Sequence, residues 1–277
     1  MSLMSLTGMV SRGRTTPLEG TMRYEFSMQW RRWAMWLPVL VAAAIMLTFV
    51  SSDRVTYYRV FSAPAAVGTF ALLFNFITPI ACGLVLADRL ARDRHLHVDE
   101  VLESLPASPR PRVWGKALGA MLATMVPWVV IELVGFGFLA AYKHTVSVLV
   151  LGVAAFLTIN LPALLFTAAL SVVLPVVLWT PAYRFLFIGL WFWAGLDPSR
   201  IPSISSSLLA PNGGYAAAGL FGGAGGYAGA SGALIRFGPL APPPTTATGL
   251  LSVLLILALA AGVLAVGPVL LRAQRRT

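Results

Sequence analysis

The sequence predicts an all-α integral membrane protein: six transmembrane helices preceded by an amphipathic interfacial helix, with both termini cytoplasmic. Three observations predict it. Of 277 residues, 58% are hydrophobic and only 11% charged, where a soluble domain carries roughly 25% charge. The apolar runs are long enough for helices of about 20 residues, and the short alternating segments of a membrane barrel are absent. The basic residues sit at the ends of those runs and divide unequally between the two sides, fifteen against five, which fixes the orientation.

The elements follow in order. Residues 1–15 read as a loose cytoplasmic tail. Thr16-Pro17-Leu18-Glu19 is a helix start: Thr16 caps, Pro17 suits the first helical position, and Glu19 completes a capping box. Leu18, Met22, Phe26, Trp30 and Trp33 then recur at helical spacing. With Arg31 and Arg32 beside a membrane span, this stripe predicts a helix over 16–32 lying flat in the headgroup layer of the lipid bilayer. Span one is 33–50, and span two is 63–87. Residues 88–112 are polar. Span three is 113–142, closed by Lys143 and His144. The next 51 apolar residues are interrupted at Pro162, Pro175 and the turn Thr180-Pro181-Ala182-Tyr183-Arg184, so two spans are expected, 146–178 and 183–197. The first is long enough to tilt or break at its prolines. The second is short and expected to thin the membrane or continue irregularly. Residues 198–248 are rich in Gly, Ser and Pro, with too little helix propensity to span. They read as a large extracytoplasmic segment that dips toward the other helices. Span six is 249–271. Residues 16–277 thus form one transmembrane domain, multi-pass in a cell membrane.

Composition also excludes. The net charge of +10 resides at run ends, the pattern of topology determinants and lipid headgroup contacts, not of a nucleic-acid groove. No nucleic-acid partner is expected. The single cysteine, Cys82, permits no intrachain disulfide, and His95, His97 and His144 form no spaced ligand set, so no metal site is expected. Gly229-Ala230-Ser231-Gly232 matches the Gly-x-Ser-Gly of intramembrane serine proteases, but no histidine follows it to act as base. No catalytic set was found.

The informative stretch is 87–116, ADRLARDRHLHVDEVLESLPASPRPRVWGK, which holds six of the twenty basic and five of the ten acidic residues. Its charges would each cost several kcal/mol in lipid, so it must protrude into water. Val98, Val101, Leu102 and Leu105 form one apolar helical face, and Asp99, Glu100 and Glu103 the opposite one. Pro106 ends that helix, and Pro109 and Pro111 stiffen the return to Trp114. Such a helix either packs on neighbouring spans or docks in a partner's groove.

This stretch resembles the cytoplasmic loop of ABC-type exporter permeases of the type-2 class. The matching parts are Asp99-Glu100-Val101-Leu102, Leu105-Pro106-Ala107-Ser108, Arg110 and Gly115-Lys116. His97-Val98 departs from the family's common Gly-Thr. The order of parts also matches, from the N-terminal helix through six spans to a large outer segment before the last. The resemblance implies a permease subunit that pairs with a second permease copy, as a homodimer or a permease pair, and docks on an ABC ATP-binding subunit. The loop 88–112, through Val98 to Glu103, Leu105 and Pro106, would couple the two. The chain has no Gly-x-x-x-x-Gly-Lys-Ser/Thr, so it is not itself an ATPase, and ATP and Mg belong to the partner subunit. The rivals are a secondary transporter, a membrane enzyme and a non-transporting membrane scaffold.

Glu132 is the one carboxylate well inside a span, and an intramembrane acid is a functional candidate by default. Asn75 and Asn160, from neighbouring spans, are its expected hydrogen-bond partners.

Overall fold

A computed structural model describes residues 16–51, 61–87, 109–223, 228, 229, 233 and 237–274. Among them the secondary structure is helical throughout. Helix α1 is Pro17–Trp30, α2 is Trp33–Ser51, α3 is Ala63–Leu86 and α4 is Pro109–Lys143. Helix α5, Ser147–Ala155, passes through a π-turn, Phe156–Asn160, into α6, Leu161–Val173. Then come α7, Thr180–Gly195, α8, Gly214–Phe221, and α9, Thr246–Gln274.

The start of α1 is as the sequence predicts. Glu19 N–H donates to Thr16 Oγ1 at 3.3 Å, and Thr16 N–H donates to the Glu19 carboxylate at 3.2 Å. Pro17 fills the first position, where a missing N–H costs nothing. Thr16→Ala should therefore destabilise the helix by about 1 kcal/mol, read as a fall in the thermal midpoint of the detergent-purified protein.

Among the described residues, four helical stretches are long and apolar enough to cross a membrane: Ala63–Leu86, Trp114–Lys143, Ser147–Val176 and Thr246–Gly267. The chain is a membrane protein on that ground. The third stretch shows how its prolines act. The π-turn ends just before Pro162, and Leu174–Val176, with Pro175 at its centre, tightens to a 3₁₀ turn. Both are local answers to a residue that donates no N–H and crowds the preceding turn.

Aromatic rings fill the interior. Phe70 meets Phe136 at 5.3 Å and Phe74 meets Trp128 at 6.1 Å, which joins α3 to α4. Tyr183, Phe187 and Trp191 stack along α7 and are nearly fully buried. In lipid the tails are as apolar as these side chains, so close packing and polar bonds, not burial from water, hold such helices together.

Helix α4 departs from expectation at its start. Pro109 and Pro111 lie inside its first turn instead of stiffening a return loop. A proline at the first helical position is preorganised for the helix, and one two places on still needs no intrahelical partner. The result is 35 residues of continuous helix, about 52 Å at 1.5 Å per residue.

Residues 198–248 are not a plain loop. Ser203, Ser205, Ser206, Ser207, Leu208, Tyr215 and Ala217 are all almost fully buried. Helix α8 packs between α3 and α9, and the Tyr215 hydroxyl reaches Ser206 O at 3.0 Å and Pro242 O at 2.9 Å.

Candidate functional site

Two regions carry polar chemistry, one at the start of α4 and one halfway along α3.

At the first, α1 lies along α4. A Cβ on Gly115 would come within 2.7 Å of Leu18 O, and one on Gly119 would fall on Met22 O. Only glycine permits this approach. Gly115, Gly119 and Ala123 repeat every four residues, the small-residue spacing that lets helices meet backbone to backbone. Farther along, Gln29 Nε2 donates to Thr124 Oγ1 at 3.2 Å. Contacts thus advance in the same direction on both helices, so they run parallel. Lys116 Nζ pairs with Glu25 Oε1 at 3.4 Å, and Glu25 is 4% exposed.

The face of α1 against α4 is Leu18, Met22, Glu25 and Gln29, and the two polar members are the most buried. This face shares Leu18 and Met22 with the predicted stripe and not Phe26, Trp30 or Trp33. Phe26 stacks on Trp30 at 5.6 Å beside that face, while Trp33 belongs to α2 and is 85% exposed. The reason is physical: the glycine groove offers backbone contact and Lys116 and Thr124 offer partners, so the polar face gains more by turning inward. The helix ends at Trp30, and Trp36 Nε1 of α2 donates to Trp30 O at 3.0 Å.

Val98, Asp99, Glu100, Val101, Leu102, Glu103, Leu105 and Pro106 lie outside the described residues. What is described is their exit: the segment re-enters the fold at Pro109, six residues before the clamp at Gly115.

The second region is built on α3. Helix α7 runs antiparallel to it, with Phe187 against Gly83 and Phe192 against Phe76 at 5.4 Å, and stops there: a Cβ on Gly195 would lie 2.8 Å from the Phe76 ring. Helix α8 takes up the same direction higher along α3, from Gly213 beside Asn75 to Phe221 beside Gly68. The two are half-helices in line, separated by 196–213. Their facing ends are capped by side chains. Ser203 Oγ and Ser205 Oγ donate to Leu196 O at 3.0 and 2.8 Å, and Asn212 Nδ2 donates to Ala194 O at 3.2 Å. Asn212 Oδ1 accepts from Gly214 N–H at 3.0 Å. These bonds serve backbone groups that a helix end leaves open.

Asn75 and Asn160, both 0% exposed, tie this break to the rest. Asn75 Nδ2 donates to Asn212 O at 3.0 Å and lies 3.5 Å from Ile159 O in the π-turn. Asn160 Nδ2 donates to Ala71 O, one turn before Asn75, at 3.1 Å. Neither amide bonds Glu132, which corrects the expected pairing: the carbonyls at the break and the π-turn take the amide hydrogens instead. Glu132 is 1% exposed. On α4 it lies one turn from Trp128 and one from Phe136, between the two residues whose rings meet Phe74 and Phe70 of α3. Glu132 Oε1, Asn75 Oδ1 and Asn160 Oδ1 have no hydrogen-bond partner among the described residues.

No protein-family model matches the chain, and no curated protein matches it in sequence. Sequence reasoning named Asn75, Asn160 and Glu132 but missed Asn212, Gly213, Glu25 and the Gly115–Gly119 pair. The small-residue repeat and the Asn212-Gly213-Gly214 breaker were the available signals.

Proposed function

We propose that the chain is the transmembrane permease subunit of an ATP-driven ABC exporter in a cell membrane. It works beside a second permease copy and is moved by a separate ATP-binding subunit that docks on 88–112. One observation carries this reading. Helix α4 begins where that segment ends and continues unbroken to Lys143, and its first turns are clamped to α1. A force applied to the loop therefore enters a stiff two-helix unit, not a slack linker. The sequence of the loop supplies the rest: an apolar face with an acidic back, bounded by Pro106.

The test is affinity purification in mild detergent from a strain carrying Glu100→Lys with Leu102→Asp, beside the unaltered protein. The unaltered protein should bring down a nucleotide-binding subunit, and the double variant should insert in the membrane but lose it. Undiminished co-purification removes the docking role.

A second reading, a secondary transporter, is favoured by the paired half-helices around Asn212 and the buried Glu132, since transporters of that class build ion and substrate sites at discontinuous helices. Substrate export by proteoliposomes that holds up without ATP, under an ion gradient alone, would select it.

A further inference from the structure

We propose that Glu132, Asn75 and Asn160 together hold one small alkali-metal cation of the sodium type, halfway along α3. The orientation of the two amides is fixed by their surroundings. Each NH₂ group is anchored on backbone carbonyls, Asn75 on Asn212 O and Ile159 O and Asn160 on Ala71 O. A flipped amide would set oxygen against oxygen, which fixes each assignment. Both Oδ1 atoms therefore turn away from those carbonyls, and neither finds a donor among the described residues.

The two asparagines are neighbours by construction. Ala71 and Asn75 lie one turn apart on α3, and Asn75 reaches the residue that precedes Asn160. Glu132, on α4, lies between the residues whose rings meet Phe70 and Phe74, which sets it at the level of that turn of α3, between two aromatic pairs. Three buried oxygens without donors, one of them acidic, thus lie around one turn of one helix.

An orphaned buried acceptor is costly, so a cluster of three calls for a common partner. A proton on Glu132, donated to one asparagine oxygen, would still leave the other amide oxygen without a partner. Hard alkali and alkaline-earth cations take several oxygen ligands at once. With a single carboxylate, a monovalent ion leaves the site neutral, whereas a divalent one would bury a net charge. No group of three or more His, Cys, Asp or Glu side chains exists among the described residues, so the donors do not suit a soft transition metal. The surroundings suit the ion as well: the π-turn and the carboxyl end of α7 bring backbone carbonyls near this level.

The experiment is binding of radioactive sodium to the purified full-length protein in nanodiscs, with choline chloride holding ionic strength constant. Tryptophan emission is followed in parallel, because Trp128 sits one turn from Glu132. The unaltered chain should bind sodium saturably, about one ion per chain, with a sodium-specific emission change. Glu132→Gln should abolish both, and Asn160→Ala should weaken them roughly tenfold or more. If Glu132→Gln does not fold, the Asn160→Ala titration and the sodium-against-choline comparison on the unaltered chain still decide. Absence of saturable sodium binding overturns the proposal. So does equal binding by the folded variants, or an emission change that follows pH alone. The proposal is independent of the ATPase partner, and its failure leaves the co-purification test untouched.

Discussion

Gly119→Leu should detach α1 from α4. The new side chain would have to occupy the position of the Met22 carbonyl and the Glu25 stem. A backbone atom cannot rotate aside as a side-chain tip can, so the helices must separate. Overpacking of this kind costs about 1–3 kcal/mol, and here separation also breaks the Lys116–Glu25 pair and the Gln29–Thr124 bond. Leaving Glu25 buried without Lys116 is itself costly. The thermal midpoint should fall by about 5–10 °C. An unchanged midpoint would show that the groove tolerates the branch. On the proposed function, this variant should also retain the ATP-binding partner while losing export, since docking and transmission are then separated.

Gly213→Val should disrupt the break by two independent costs. Gly213 has φ +77°, a region closed to β-branched residues, and a Cβ there would stand 2.6 Å from Ile159 Cγ2 and 3.4 Å from Asn75 Nδ2. The backbone strain costs about 1–3 kcal/mol, and the collision with the π-turn adds a similar amount. The expected outcome is loss of the monodisperse detergent-solubilised peak, or a midpoint lower than that of Gly119→Leu. Gly213→Ala separates the two causes: it keeps the strain and most of the collision but not the β-branch, and should be intermediate. A native midpoint for the valine variant would mean that the half-helices are not held as described.

How much of this was legible follows a physical division. Local rules were readable. The capping box at Thr16 and Glu19, the bounds of α3 and the irregularity at Pro162 and Pro175 depend on residues within a turn or two. What depends on a distant partner was not. Glu25 and Gln29 are polar, and a periodicity reading places polar residues outward, but Lys116 and Thr124, about 90 positions away, draw them in. Helix α8 hides in a Gly-rich run because its ends are glycines, Gly213 and Gly222, both at positive φ. Its burial comes from α3 and α9, not from its own composition. At the candidate site the three expected residues were named and their relations were not. Asn75 and Asn160 were expected to serve Glu132, yet the carbonyls freed by the break and the π-turn, invisible in a string of letters, claim their hydrogens first.

Pro127 lies inside α4, between the turns fastened to α1 and the turn that bears Glu132. It offers no N–H to Ala123, so the ladder of that helix lacks a rung at this one place. Bending stiffness is lowest there. The first half of α4, with α1 strapped to it, and the second half, with Lys143 tethered to Phe61 O at 2.6 Å, are therefore two levers sharing one soft joint. Whatever displaces the first lever changes the angle at Pro127 first, and the acid five residues beyond moves with it.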